Sequence, residues 1–236
     1  MGRAFESTEW SVVLAARDGD GSAARTAMNG LCAAYWQPLY AFARRAGHAP
    51  DDAADMVQAY FERFLEKNFL DDVRPEAGRF RAFLLASMRH FLANEWDRRK
   101  AQKRAGDLTA LSLDFLAAER RWAAEPRDAR RTPEEEYERR WALATLARAL
   151  AALERDEAAA GRAASFAELE GFLTEAGDAP YRQIGERLGQ SEGAVKVAVH
   201  RLRRRFGDTL RRTIAETVAD PNEVDDELKH LLRALE

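Results

Sequence analysis

Apolar residues return every three or four positions along much of this chain. Leu31, Tyr35, Leu39 and Phe42 form one such series, Met56, Tyr60 and Phe64 a second, and Phe83, Leu84, Met88, Phe91 and Leu92 a third. That period is the signature of helices with one buried face. No stretch alternates with the period of two that a half-buried strand requires, and no internal repeat stands out, so the pattern predicts an all-α fold. Asp18-Gly19-Asp20-Gly21 and Gly47-His48-Ala49-Pro50 read as turns between the helices of a first block, from about Trp10 to Ala105. From Gly106 to Pro133 no stripe is sustained (AAERRWAAEPRDARRTP), which reads as a linker with some helical content. A second block opens at Thr132-Pro133-Glu134-Glu135, a threonine N-cap followed by proline at the first helical position and acids in the first turn. It runs to about Arg212, interrupted by Gly161 and by the stretch from Glu175 to Pro180. The expected organisation is therefore a helical domain over 1–105, a linker over 106–132, a second helical domain over 133–212 and a C-terminal extension over 213–236.

Within the second block, PYRQIGERLGQ leads into SEGAVKVAVHRLRRRF. Tyr181, Ile184 and Leu188 form one apolar face; Val195, Val199, Leu202 and Phe206 form the next. Gly189 lies between them, where the chain must turn sharply and a positive φ is cheapest for glycine. Gly185, four residues earlier, marks a close approach with no room for a large side chain, and Ser191 is a candidate cap for the second helix. A short helix, a three-residue turn around glycine and a longer basic helix make a helix-turn-helix, whose second helix enters the major groove. On that helix Ser191, Glu192, Lys196 and His200 are the candidate base-facing residues, with Arg201, Arg203 and Arg204 placed to hold phosphates. The competing reading is two packed helices with a solvated arginine face. The small residues at 185 and 189 occurring together with the capped turn, and the basic character of the exposed face, count against it.

Charge sharpens this picture. The net charge is −3 over 236 residues, which argues against indiscriminate binding to nucleic acid, but distribution matters more than the total. Five bases against one acid fall in 97–104, six against one in 201–212, and seven acids against two bases in 216–236. No apolar run approaches the roughly 20 residues that cross a bilayer, and no apolar segment follows a basic start at the N-terminus. The lone Cys32, in the context LCAAYW, reads as a small core residue. These features predict a cytoplasmic protein without membrane contact. The four histidines (His48, His90, His200 and His230) are scattered, and no H-E-x-x-H, Walker glycine loop or G-x-S-x-G occurs. The expectation is no enzyme, no cofactor and no metal.

Three stretches in this order carry a family resemblance. APDDAADMVQAYFERFLEK (49–67), GRFRAFLLASMRHFLANEWDRRKAQKR (78–104) and YRQIGERLGQSEGAVKVAVHRLRRRF (181–206) resemble regions 2.2, 2.3–2.4 and 4.2 of the bacterial sigma-70 family, in its small two-domain extracytoplasmic-function type. The resemblance implies a transcription initiation factor that binds core RNA polymerase, through its β′ and β subunits, and directs it to promoter DNA. The first stretch would dock on polymerase through Asp51, Asp52, Asp55, Gln58 and Phe61. The second would melt and read the −10 element. Capturing unpaired bases calls for aromatics and cations along a groove that tracks the backbone, a mix supplied by Phe80, Arg81, Arg89, His90, Asn94, Trp96, Arg98, Arg99 and Lys100. For Trp96 half-buried packing is an equal alternative. The third would read the −35 element. An anti-sigma factor or other regulator is left open as a further partner.

The chain departs from the family pattern in three ways. Ala53, Ala54 and Ala59 stand where carboxylates are common in region 2.2, and 49–67 holds no serine or threonine to restore charge by phosphorylation. An L-P-x-x-x-R-x-x-x-x-L run is missing before the helix-turn-helix, where Phe166, Leu169, Phe172 and Leu173 make the stripe instead. About 24 residues follow Arg212. In them Asp220, Pro221 and Glu223 form a capping pattern, and Val224, Leu228, Leu231, Leu232 and Leu235 predict an amphipathic helix. This acidic helix either packs on the helix-turn-helix bundle or folds toward the arginines of 201–212 and competes with DNA. The alternative to the family reading is a stand-alone helix-turn-helix regulator, which has no need of 49–104.

Overall fold

A computed structural model of the chain describes residues 9–10, 13, 22–64, 79–101, 119, 122, 130–174 and 180–236, with backbone alone at 22–25, 27, 95–101 and 174. The fold is all-α: every element among the described residues is helical. In chain order these are α1 (Ser22–Arg45), α2 (Pro50–Phe64), α3 (Phe80–Ala101), α4 (Pro133–Ala159), α5 (Ala163–Leu169), α6 (Gly171–Thr174), α7 (Tyr181–Leu188), α8 (Glu192–Ala215), a 3-10 turn (Pro221–Glu223) and α9 (Val224–Leu235). No helix among them is long and apolar enough to cross a membrane. The chain divides into two compact units, one of residues 1–144 with 215–236, the other of residues 145–214. The C-terminal extension thus groups with the N-terminal helices rather than with the helix-turn-helix bundle on which, or against whose arginines, the sequence placed it.

In the first unit the expected stripes are buried: Leu31, Tyr35, Leu39 and Phe42 of α1, Met56, Tyr60 and Phe64 of α2, and Leu84, Met88 and Phe91 of α3. Phe83 and Leu92 are half-buried. The core is aromatic. Trp10 meets Phe80 edge-on at 5.1 Å between ring centres, Tyr35 meets the same ring at 5.5 Å, and Tyr60 meets Phe91 at 5.7 Å. Such edge-to-face pairs add roughly 0.5–1.5 kcal/mol each beyond the area they bury. Gly47 carries the turn between α1 and α2 at a φ of +99°. Cys32 is a core residue, and burial pushes its thiol up to about 12. The turn expected at 18–21, the interruption at 175–179 and most of the 106–132 linker lie outside the described residues. The described linker residues, Glu119, Trp122 and Arg130 to Thr132, belong to the first unit. Trp122 is buried, with the guanidinium groups of Arg44 and Arg140 over its ring at 5.7 and 5.6 Å.

Three residues assigned to binding surfaces from sequence are core instead. Phe61 is buried beside Trp36 and Tyr60, because it lies four residues from Val57 on the inward face of α2. Phe80 is fully buried among Trp10, Tyr35 and Phe64. Arg81, only 4% exposed, is the centre of an ion-pair cluster. Its Nε–H donates to Glu227 Oε1 at 2.6 Å, its Nη1 to Glu138 Oε1 at 2.5 Å, and its guanidinium lies 4.8 Å from the Trp141 ring. Arg79 Nε adds a second cation on Glu227, at 2.8 Å from Oε2. The Tyr137 hydroxyl donates to the Arg81 carbonyl at 2.9 Å.

Helix ends obey the local signals. Thr132 and Glu135 cap α4 reciprocally: the Glu135 N–H donates to Thr132 Oγ1 at 3.2 Å and the Thr132 N–H to Glu135 Oε2 at 2.7 Å. At the C-terminal extension Asp220 Oδ1 accepts from the Asn222 N–H at 2.9 Å. The amphipathic face of α9 differs from the expected one. Leu231 is fully buried, but so is Glu227 one turn earlier, while Leu232 is 54% exposed. The buried line runs through positions 227 and 231, four residues apart, so Leu232 falls a further 100° or so around the helix and off it.

Breaking the buried cluster has a large expected cost. Glu227→Ala leaves Arg81 buried with one carboxylate fewer, and the first unit should lose about 3–5 kcal/mol of stability. Arg81→Met combined with Glu227→Leu should recover most of it, because the two fully buried charges are then removed together, while Glu138 and Arg79 are half-buried and within reach of water and Glu138 keeps His230. Denaturant unfolding, together with hydrogen exchange in 79–94, measures both; a wild-type unfolding profile for Glu227→Ala would show that α9 does not secure the start of α3.

Candidate nucleic-acid interface

The second unit builds a helix-turn-helix around one backbone constraint. α7 ends at Gly189 with φ +64°, and the Gly189 N–H closes on the Gly185 carbonyl. The Gln190 N–H donates to the same carbonyl at 2.8 Å. A Cβ at position 185 would stand 2.5 Å from the Gln190 carbonyl oxygen. The close approach foreseen at Gly185 is therefore made by the turn itself. Ser191 then caps α8, its Oγ accepting from the Ala194 N–H at 3.2 Å. Ile184, Val195, Val199 and Leu202 pack inward with Leu153, Phe166, Leu169 and Phe172, and the Phe172 and Tyr181 rings stack at 5.1 Å.

Packing on one side fixes what the other side shows. Ser191, Glu192, Lys196, His200, Arg201, Arg203 and Arg204 are all exposed, so the structure brings every expected residue of this set onto one helix and its cap. They are not equivalent. Lys196 lies 2.7 Å from Glu192 Oε1 and 5.7 Å from the centre of the Tyr181 ring. The hydrogen bond from Lys196 holds the Glu192 carboxyl below its usual range. An exposed pair of this kind is screened by solvent and contributes little, so Lys196 is positioned rather than locked. Arg203 donates its Nε–H to the Phe172 carbonyl at 3.1 Å. Arg205 lies 2.8 Å from the buried carboxylate of Glu157, and Arg212 2.8 Å from Asp156. Arg201 and Arg204 have no ion pair among the described residues. Gly193 and Val197, exposed near the start of this helix, were among the residues missed from sequence. Their spacing from the inward series Val195, Val199 and Leu202 was signal enough.

In the first unit one face of α3, with Arg63 of α2 beside it, forms an open hollow of about 300 Å³ lined by Arg63, Phe83, Ala86, Ser87, His90, Phe91 and Asn94. His90 and Asn94, two of the expected strand-contacting residues, come together here. Arg63 was missed because it comes from α2, whereas Ser87 lies on α3 at helical spacing from His90 and Asn94 and was open to recognition there; Phe83, read as core, is half-buried and lines the hollow as well. Arg89 points its cation elsewhere and ion-pairs with Glu134 at the start of α4. Against a desolvation that would raise it, the Arg89 hydrogen bond holds the Glu134 carboxyl below its ordinary value. Trp96, Arg98, Arg99 and Lys100 continue α3, and their side chains lie outside the described residues. On α2, Asp51, Asp52 and Asp55 are exposed, while Gln58 is half-buried and donates to Glu62 at 3.2 Å.

Comparison with known proteins gives no matching family model, no curated relative and no similar solved structure, so the reading of these surfaces rests on their geometry and on the motifs themselves.

Gly185 and Gly193, two of the motif's three glycines, should respond in opposite ways. Gly185→Ala places a methyl group against a backbone carbonyl that side-chain repacking cannot relieve, and should cost about 1–3 kcal/mol. Gly193 has open space where its Cβ would be, so Gly193→Ala should raise stability by up to about 1 kcal/mol through helix propensity. Thermal unfolding of the two variants separates them; equal effects would mean that the turn is not under the constraint described.

Proposed function

We propose that this protein is a bacterial transcription initiation factor of the extracytoplasmic-function sigma type, a cytoplasmic subunit that acts with core RNA polymerase on promoter DNA. The observation that carries the reading is the occurrence, in one chain, of two different nucleic-acid-compatible surfaces. One is a helix-turn-helix whose exposed face is cationic, suited to a duplex −35 element. The other is an open hollow of about 300 Å³ that offers the half-buried Phe83 and buried Phe91 with His90, Asn94, Ser87 and Arg63. That second set suits a single unstacked base: an aromatic wall for stacking, an amide and an imidazole for its hydrogen-bonding edge, and a guanidinium for the backbone. A stand-alone regulator uses the first surface only.

The chemistry asked of the chain is binding rather than bond-making. Duplex capture positions the polymerase, and the hollow favours the melted strand because an extruded base gains contacts there that a stacked base lacks. The three exposed aspartates at the start of α2 supply the acidic surface that the resemblance assigns to polymerase docking. With alanine at 53, 54 and 59, that surface rests on few charges.

Run-off transcription with purified core polymerase on a promoter library is the direct test. The protein should confer promoter-specific transcripts. Asp52→Lys with Asp55→Lys should abolish co-purification with core polymerase while leaving the fold intact. His90→Ala and Asn94→Ala should retain duplex binding by the assembled enzyme but lower open-complex formation, by about tenfold or more if each removes one good base contact. Sequence-specific duplex binding by the protein alone, with no polymerase association and no transcription, would establish the stand-alone regulator instead.

A further inference from the structure

We infer that Val197 reads the methyl group of a thymine in the major groove, an inference that rests on the promoter-binding reading above. Two large hydrophobic side chains stand exposed among the described residues, Val197 at 50% and Leu232 at 54%. A single exposed aliphatic residue needs no explanation by itself, so its position has to decide. At about 100° per residue, Val197 lies some 200° around α8 from Val195 and 160° from Val199. Both of those valines are buried, which puts Val197 at the middle of the outward face. Gly193, His200 and Arg204 fall within about 60° of it, and Lys196 and Arg203 lie on the flank.

Three features point to a base edge as the partner. Valine is stiff at χ1 in a helix, so its two methyl groups project in one fixed direction. It is also a poorer helix former than alanine, and at this site half of its surface stays open to solvent. One turn earlier, Gly193 has nothing within 4 Å of where a Cβ would stand. No neighbour in the unit demands glycine there, and its bare backbone lets the helix approach a partner closely. On the same side of α8, Arg201 and Arg204 are exposed cations without an ion pair among the described residues. Their charge suits a polyanion rather than an apolar protein surface. An aliphatic side chain can neither donate nor accept a hydrogen bond. Of the features that bases display in the major groove, the thymine C5-methyl is the one it recognises.

The test uses the full-length protein assembled with core polymerase. The upstream element is selected from a randomised duplex library, and each thymine of the selected element is then replaced in turn by deoxyuridine, which removes the methyl group and keeps the pairing. At one thymine the replacement should weaken binding about fourfold, the value of one buried methyl group. Val197→Ser should erase the thymine–uracil difference at that position and leave it unchanged elsewhere, and Val197→Thr, which keeps one methyl group, should retain part of it. The site is exposed, so both variants should fold as wild type, which circular dichroism checks. An element indifferent to every uracil replacement, or a Val197→Ser protein that keeps the wild-type preference for thymine, overturns the inference and leaves the promoter-binding reading standing. If the wild-type assembly selects no element at all, that reading falls first.

Discussion

A guanidinium cannot be taken out of water without partners, and the first unit is organised around that requirement. Arg81 sits one residue past the start of α3, on the side that faces the core, and is almost wholly buried. Left alone it would cost several kcal/mol. It draws Glu138 from α4 and Glu227 from α9, while Tyr137 takes up its carbonyl and Trp141 offers a ring face. Three helices distant in sequence thereby meet at the first turn of α3. His230 adds a contact between the same two partners, with Nε2 3.0 Å from Glu138 Oε2. The rest of α3 depends on that anchoring. Phe80 closes the aromatic core, and two turns on, Ser87, His90 and Asn94 line the hollow beside Arg63 of α2. The C-terminal extension is thus a structural member of this unit, and its acidic character has a purpose that charge counting along the chain did not show.

The second unit depends on a backbone contact instead. Gly185 admits the Gln190 carbonyl, Gly189 takes the left-handed turn, and Ser191 starts α8 at a fixed angle. Once that angle is set, the buried series Val195, Val199 and Leu202 determines by elimination which residues can meet a ligand. Ordering the backbone in this way, before any ligand arrives, lowers the entropy lost on binding.

Where the sequence spoke clearly, it did so through periodicity and glycine chemistry. The stripes of α1, α2 and α3, the Thr132 cap of α4, the turn at Gly47 and the helix-turn-helix were all legible, because each arises from interactions between near neighbours in the chain. The features that escaped depend on long-range pairing. Arg81 and Phe80 sit in a basic, aromatic segment and read as strand-contacting residues; only the arrival of Glu227, 146 positions later, shows that Arg81 is neutralised. Leu232 fits an apolar stripe on α9 until Glu227 is known to occupy the buried line. Phe61 belongs to a motif associated with docking, yet its side chain completes the core. Arg63 drew no notice because it reaches the hollow from α2, while Ser87 shares the face of α3 with His90 and Asn94 and could have been read from their spacing.

The same sorting of residues by partner explains how a chain of net charge −3 can present a cationic surface. Arginines 201 to 212 look like one block in sequence, but in the folded unit Arg205 faces buried Glu157, Arg212 faces Asp156, and Arg203 is turned to a backbone carbonyl. Neutralised pairs contribute little to the potential a phosphate feels, and at physiological ionic strength charges more than about 8–10 Å away are largely screened. Arg201 and Arg204 beside His200, together with Arg203, whose charge a carbonyl partner does not cancel, therefore govern the local potential, whatever the total over 236 residues. If this face binds a duplex as proposed, so few unpaired cations among its described residues give a modest electrostatic contribution, and contacts to base edges then weigh more in where the protein rests.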